Sequence, residues 1–242
     1  IAKNTKTKNK KNIQFGILAS AGVSNNSSKG FSSLLQSAND ATYALANSNG
    51  PGNVNYAKAS PLKGGLAFNI GAGVKKELSH RFSVVSGITY SYFSNSLQVG
   101  DFYDSSRSVV QSGNQDKRVE NFYSVSTTAG GATHKYTNRY HYVSLPIGLE
   151  MQLGSRSHFV AEGGMVISRF IASNALHFDP SGFYYKDNSL FNKTQLAFYG
   201  GIDYNFLLNK KTRLVIGPRL QYGASNTYKK SMYGSNHSLF AG

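Results

Sequence analysis

The sequence predicts an all-β protein, namely an eight-stranded antiparallel up-and-down transmembrane β-barrel with short periplasmic turns and long extracellular loops. Apolar and small or polar residues alternate with a period of two in repeated runs of about 10 to 13 residues. The connections between these runs are alternately short and long. The composition, with 25 Gly, 16 Tyr and 15 Phe at a mean hydropathy of −0.34, suits strands and turns.

The first run, residues 13–23, shows the pattern most clearly. Its odd positions carry Ile, Phe, Ile, Ala, Ala and Val, and its even positions carry Gln, Gly, Leu, Ser and Gly. Similar alternation recurs in six further runs, 64–75, 82–93, 140–153, 158–171, 194–206 and 213–222. Pro146 cannot donate a hydrogen bond to a neighbouring strand, so it predicts a bulge. The eighth run, 237–242, stops where a strand should be under way, and we expect a truncated last strand.

The connections predict which end of each strand faces the periplasm. The short ones are 76–81, 154–157 and 207–211, and the long ones are 24–63, 94–139, 172–193 and 223–236. This asymmetry is typical of bacterial outer-membrane barrels, whose short turns are periplasmic. An even number of strands brings both termini to that side. We therefore interpret residues 1–11 as a basic periplasmic linker and residues 12–242 as the barrel.

The two faces of such strands predict opposite surroundings. The large apolar side chains are expected to point outward to lipid, because closing the sheet satisfies the backbone. The interior of eight strands has room for side chains and none for an aqueous channel. Buried charges must be paired. The predicted interior ion pairs join Glu150, Glu162 and Asp203 to Arg213 and Arg219.

Aromatic residues near the ends of the runs predict girdles at the two membrane interfaces. The predicted girdle residues are Tyr90, Tyr92, Tyr140, Tyr142, Phe206 and Tyr222.

Two other protein classes fit less well. A soluble β-sandwich or lipocalin-like barrel would turn the same apolar faces inward, but seven faces of large residues would crowd one core. The net charge of +15 is compatible with nucleic-acid binding, but five of the lysines lie in residues 1–11 and most other basic residues fall in predicted turns or loops, including Lys75. Basic loops also suit lipid phosphates, so we expect outer-membrane lipid and lipopolysaccharide as partners and no nucleic acid.

No pattern of catalytic, cofactor-binding or metal-binding residues stands out. The six His lack the spacing of a metal site, and the chain has no Cys. Ser60 and Lys63 match the S-x-x-K spacing of some serine hydrolases, but the companion motifs are missing. We therefore predict no enzyme, no cofactor and no metal.

Three segments carry a resemblance to a known family: YHYVSLPIGLEMQL at 140–153, FSVVSGITYSY at 82–92 and LAFYGGIDYNF at 196–206. They resemble the outer membrane β-barrel family of Bacteroidota, also called porin-like or PorT-like. The resemblance implies an outer-membrane location. Some such proteins look like the barrel of a dual-membrane-spanning anti-sigma regulator, joined by a periplasmic tether to an inner-membrane helix and a cytoplasmic domain.

The leading functional hypothesis is a non-catalytic outer-membrane barrel that acts as a membrane anchor and as a sensing or interaction module through its surface loops. A second is an accessory subunit of a larger outer-membrane assembly with a protein partner. A third is a lipid-modifying outer-membrane enzyme or a small pore. The sequence names no ligand or signal.

Overall fold

A computed structural model describes residues 13–27, 59–111, 115–125, 132–154, 158–179, 181–209, 213–229 and 237–242. The predicted linker, residues 1–11, lies outside these ranges. The described part consists of antiparallel strands and one 3₁₀ turn, Asn188–Leu190, which confirms the all-β prediction. The strands are β1 Ile13–Ser27, β2 Lys63–Glu77, β3 Phe82–Val99, β4 Phe102–Gln111, β5 Gln115–Ser124, β6 His134–Gln152, β7 Phe159–Ser173, β8 Leu176–Asp179, β9 Phe183–Lys186, β10 Thr194–Leu207, β11 Arg213–Ile216, β12 Arg219–Gly223 and β13 His237–Ala241.

Nine strands form one sheet, here called the large sheet. Hydrogen-bonded pairs connect β1, β2, β3, β6, β7 and β10 in that order, and β10 pairs with both β11 and β12. From β12 the pairing continues to β13, which returns to β1. Gly217 and Pro218 separate β11 from β12, and the two short strands line up along the same neighbour, β10.

The last strand covers only part of its neighbour. β13 pairs with Val23–Ser27 of β1, whereas β2 pairs with β1 from Ile13 to Ser24. Backbone bonds between Arg219 and Gly242, at 2.6 and 2.9 Å, continue the pairing on the other side of β13. The run at 237–242 therefore forms a strand, and β13 has five residues.

Pro146 does not produce the predicted bulge. β6 keeps a single register with β7 through Pro146 and Val166, and its register with β3 is the same on both sides of the proline. The shift in β6 falls instead between His141 and Tyr142. A proline lacks only one N–H group, and here that loss interrupts the pairing with β3 without displacing the strand.

Two of the predicted long loops, 94–139 and 172–193, contain strands of their own. β3 continues to Val99 and β6 begins at His134, so the connection 94–139 shrinks at both ends. The rest of it forms the hairpin of β4 and β5, and the connection 172–193 contributes β8 and β9. These four strands form a second antiparallel sheet, here called the loop sheet, in the order β4-β5-β9-β8. Of the first long connection, residues 28–58 lie outside the described residues.

The short connections lie, as predicted, at the end of the large sheet that is opposite the loop sheet. Leu78 and Ser79 donate backbone hydrogen bonds to the Phe82 carbonyl at 2.9 and 3.1 Å. The Ser79 hydroxyl accepts a further bond from the Phe82 N–H at 3.2 Å, which closes this turn with local partners. No helix in the described residues is long and apolar enough to cross a membrane.

Candidate functional site: the apolar band, the polar face and the loop sheet

The large apolar side chains of the large sheet are exposed. Phe15 is 85% exposed and Ile70 53% exposed, although both belong to well-paired strands. The exposed side chains form a band around the large sheet, here called the apolar band, that includes Ile13, Phe15, Ile17, Leu66, Ile70, Ile88, Val143, Leu145, Ile147, Phe159, Met165, Ile167, Leu196, Phe198, Ile202, Leu214, Ile216 and Leu220. A patch of this extent is far larger than a monomeric soluble protein normally exposes.

The opposite face of the same strands, here called the polar face, holds small and polar side chains. Ser91, Ser144 and Ser168 lie on three adjacent strands and are joined through their hydroxyls at 2.9 and 2.8 Å. All three are buried. Buried hydroxyls are satisfied when they bond to one another, so this face can bury polar side chains.

Large side chains on the polar face fit over glycines. A Cβ atom at Gly73 or Gly87 would lie 2.9 Å from the Leu18 side chain, which comes from a neighbouring part of the sheet. Leu18 thus occupies the space that two missing side chains leave on β2 and β3. This accounts for the glycines at positions that the alternation places on this face.

Contacts on the polar face also bridge strands that are not neighbours. Phe93 of β3 contacts Phe240 of β13 with ring centroids 6.2 Å apart, although β1 and β2 lie between them in the pairing order. The Gln195 amide of β10 donates to the Tyr142 hydroxyl of β6 at 3.2 Å, across β7. In a flat sheet the backbones of these strands would be about 14 Å apart for Phe93 and Phe240 and about 10 Å apart for Gln195 and Tyr142, because neighbouring strands are about 4.8 Å apart. The polar face is therefore concave.

Glu162 organises a charged cluster on this concave face. The Arg219 guanidinium donates to one carboxylate oxygen at 2.5 Å, and the Tyr199 hydroxyl donates to the other at 2.8 Å. The guanidinium carbon also lies 4.8 Å from the centre of the Tyr199 ring. Three strands, β7, β10 and β12, contribute to this cluster, so it holds the strands in a fixed arrangement.

Glu150 and Asp203 also lie on the polar face, as the alternation predicts, but the partner of Glu150 was not predicted. Glu150 pairs with Lys75, which was expected in a turn. Lys75 has the same parity as Gly73 on β2, and that parity was the signal that could have found it. Asp203 is buried on the polar face and interacts electrostatically with Glu162 and Arg219. The side chain of Arg213 lies outside the described residues.

The girdle prediction is wrong for Tyr140 and Tyr142. Both are buried, at 2% and 4% exposure, and they pack with Ala175 and Phe191. On β6 they have the parity of Ser144, so they point to the polar face. Their position near a strand end suggested a girdle, but alternation decides the side on which they lie.

The other predicted girdle residues lie on the same face of the large sheet as the apolar band. Tyr90 and Tyr92 flank Phe68, with the Tyr92 ring stacked at 5.0 Å, and the Tyr90 hydroxyl lies 2.5 Å from Nδ1 of His141. At the other end of the strands, Phe206 is exposed and packs against Tyr204 at 4.5 Å. Tyr222, on β12, is half-buried opposite Phe198.

The loop sheet differs from the large sheet, because it has a cluster of buried apolar side chains on each of its faces. One cluster contains Leu97, Val99, Val125, Leu176 and Tyr184. A second cluster contains Val109, Val119, Phe122, Phe183 and Tyr185. The Arg107 guanidinium lies over the rings of Phe122 and Phe183 at 5.0 and 5.2 Å. These two dry cores are typical of a structure that is surrounded by water.

Tyr136 links the loop sheet to the large sheet. Its ring contacts Tyr123 of β5 at 5.4 Å, and its hydroxyl donates to the Asn174 carbonyl at 2.7 Å. Burial, followed by the neighbouring Tyr123, raises the pKa of Tyr136 to about 12. The raised pKa keeps this phenol protonated, and therefore donating its hydrogen bond, up to a higher pH than an ordinary tyrosine.

Tyr199 reaches Glu162 by passing over a glycine, which leads to a first prediction. A Cβ atom at Gly148 would lie 2.1 Å from the Tyr199 hydroxyl oxygen. Gly148→Ala is therefore expected to displace this hydroxyl from Glu162 and to lower the free energy of unfolding by about 1 to 3 kcal/mol. The measurement is unfolding in urea of the chain folded in detergent. Gly163→Ala is the matched control, because the nearest atom would lie 3.7 Å away. An equal effect of both substitutions would contradict the assigned packing.

Ser60 and Lys63, the pair with S-x-x-K spacing, lie just before β2 and at its start. The backbone N–H of Ser60 donates to the Tyr184 hydroxyl at 2.6 Å, and Lys63 is exposed at the start of β2. Among the described residues, no group of three or more His, Asp or Glu is placed to hold a metal ion. Comparison with protein-family models, curated proteins and solved structures found no match to this chain.

Proposed function

We propose that the chain is a non-catalytic outer-membrane protein whose large sheet is a closed eight-stranded barrel in lipid. Its surface loops, including the loop sheet, would act as a sensing or interaction module at the cell surface. The strands of this barrel are β1, β2, β3, β6, β7, β10, β11 with β12, and β13.

The opposite burial of apolar residues in the two sheets carries this proposal. Ile17, on β1, is 84% exposed, whereas Phe183, in the loop sheet, is 1% exposed. Exposed aliphatic surface is costly in water, at roughly 25 cal/mol per Å². A single solvent cannot favour both arrangements. Lipid around the large sheet favours its exposed apolar side chains, and water around the loop sheet favours its buried ones. A soluble barrel would have turned the apolar band inward.

The concave polar face and the circuit of paired strands support closure of the barrel. In a closed barrel of this size, the contacts between Phe93 and Phe240 and between Glu162 and Arg219 would lie in the interior and occupy part of it. Such filling favours an anchor over a pore. The short connections lie at one end, which we assign to the periplasm, and the loop sheet lies at the other.

The loop sheet offers surface for recognition. β4 is an edge strand of this sheet, and its first residues, Phe102 and Tyr103, are 55% and 45% exposed. Exposed aromatic side chains on an edge strand suit contact with another molecule at the cell surface.

The absence of cysteine from the sequence allows a direct test of membrane burial. Ile70→Cys places a thiol in the apolar band, and Ser105→Cys places one at an exposed position in β4. In lipid vesicles, a membrane-impermeant maleimide is expected to label S105C rapidly and I70C at least about tenfold more slowly, because thiolate does not form in hydrocarbon. Unfolding in SDS should equalise the two rates. Equal labelling in intact vesicles would exclude the proposed membrane position.

A further inference from the structure

The wall of the large sheet has a gap among the described residues, at the end that carries the short connections. β13 pairs with β1 only over Val23–Ser27 and with β12 only over Leu220–Tyr222. Beyond these pairs, residues 13–21 of β1 and residues 213–218 have no paired strand on this side in the described part of the chain. The gap between these two edges is here called the slot.

The side chains along both edges show that the slot is open. Phe15 and Ile17, on β1, are 85% and 84% exposed, whereas the other exposed large apolar side chains of the described residues reach at most 65%. Val215 lies on the polar face, opposite Asn205, and is nevertheless 46% exposed. A Cβ atom at Gly16 would have no atom of the described residues within 4 Å. The slot is therefore open on the outer face and on the polar face.

The two edges of the slot are in register with each other. In the part of the wall that β13 fills, Ala241 pairs with both Val23 and Leu220. Ile17 lies six positions from Val23, and Leu214 lies six positions from Leu220. β11 and β12 keep a single register with β10, so the same count applies to both. One antiparallel strand in line with β13 would therefore pair with both edges at once and would have Ile17 and Leu214 on either side of the same position.

Only a polypeptide strand satisfies both edges of the slot in lipid. Backbone N–H and C=O groups without a partner are strongly unfavourable in hydrocarbon, because no water is present to bond to them. An acyl chain can cover Phe15 and Ile17 but forms no hydrogen bonds with the backbone. Addition of an extended strand to an open sheet edge supplies these bonds and places alternate side chains on each face. Residues 1–11 do not suit this role, because five of them are lysines.

We propose that the slot binds one β-strand of a partner protein, antiparallel to β1, with apolar side chains towards lipid and small or polar ones inside. This inference rests on the proposed function. The strand would leave the slot at the end with the short connections, where Lys76 is exposed and pairs with Ile13. The five lysines of residues 1–11 precede Ile13 in the sequence. Acidic residues directly after the partner strand would complement this positive charge.

The test traps a strand in the slot by a disulfide, because the chain has no cysteine of its own. The probe is a synthetic peptide in which about nine alternating valine and threonine residues, the length of the open edge of β1, precede a run of aspartates. A cysteine replaces the valine that would lie between Ile17 and Leu214. In neutral detergent micelles, under mild oxidation, this peptide should link to Ile17→Cys and to Leu214→Cys at least about tenfold faster than to Ile70→Cys. Ile70 is the matched control, because it has paired strands on both sides.

Two altered peptides test what holds the strand. N-methylation of alternate backbone nitrogens removes hydrogen-bond donors and should abolish the fast linking to I17C and L214C. Lysines in place of the aspartates should slow it, because they would meet the basic end of the slot. Equally fast linking by the N-methylated peptide, or equal linking of I17C, L214C and I70C, would overturn the strand site. Equally fast linking by the lysine peptide would overturn the charge match.

The remaining outcomes separate other occupants from the partner strand. Disulfide dimers of I17C that form faster than peptide adducts would mean that a second copy covers this edge, and the partner would be wrong. The same alternating segment joined after Gly242 gives a further comparison. If it shields I17C from maleimide while the free peptide never links, the slot takes a strand of the same polypeptide, and the partner is again wrong. If the parent chain gives no heat-sensitive folded band on a gel, the barrel itself is wrong, whatever the peptides do.

Discussion

Replacement of Ile70 by arginine is expected to destabilise the folded chain in a lipid bilayer by about 2 to 4 kcal/mol. Ile70 lies in the middle of β2, paired with Ala19 and Tyr90, and its side chain is exposed on the apolar band. In lipid the arginine would have to bring its charge to the bilayer centre or distort the strand to avoid it. Folding into vesicles at increasing urea concentration measures the difference in free energy.

The same substitution separates the membrane proposal from a soluble one. In water, an arginine at an exposed position changes stability by about 0.5 kcal/mol or less. Ser105→Arg, at an exposed position of the loop sheet, provides that reference in the same chain. Ile202→Arg, at a 54% exposed position on β10, should reproduce the large effect. If I70R and I202R are as stable as S105R in vesicles, the apolar band does not face lipid.

Loss of the Glu162 carboxylate is expected to be the most damaging change on the polar face. Its side chain is 8% exposed and accepts from both the Arg219 guanidinium and the Tyr199 hydroxyl. Glu162→Leu leaves the partly buried Arg219 without this carboxylate, which costs about 3 kcal/mol when one member of a buried pair is removed. Unfolding in urea, read from the mobility of the folded gel band, measures this loss.

A double-substitution cycle shows whether the pair itself is responsible. Glu162→Leu combined with Arg219→Met removes both charges, and its cost should be smaller than the sum of the single costs by more than about 1 kcal/mol. Glu120→Leu, at an exposed position on β5, is the control and should change stability by about 0.5 kcal/mol or less. Additive effects of E162L and R219M would mean that the observed contact contributes little.

Alternation predicted the large sheet because each strand separates two different surroundings. The runs around Ile17, Ile70 and Ile147 were found as strands, and their apolar side chains lie on the exposed face as expected. The observed strands extend beyond these runs, to 18 residues in β3 and 19 in β6. The pattern weakens there because both faces of the extensions meet protein or water, so the side chains no longer have to alternate.

The loop sheet could not be predicted in the same way. β8 and β9 have four residues each, and the buried residues of β9, Phe183, Tyr184 and Tyr185, are consecutive. Both faces of that strand are covered, so three of its four residues are aromatic and the sequence carries no period of two. Its partner β5 comes from a different connection, and such long-range pairing leaves no local signal.

The amino-acid sequence by itself determined the all-β class, the order of the long strands and the parity of each position, because backbone geometry puts neighbouring side chains on opposite faces. Only the tertiary structure decided which side chains and strands contact one another. It joined Lys75 to Glu150, packed Tyr140 and Tyr142 against Ala175 and Phe191, and built one sheet from two loops. These choices depend on contacts between segments far apart in the chain, where space and charge are matched only after the strands have paired.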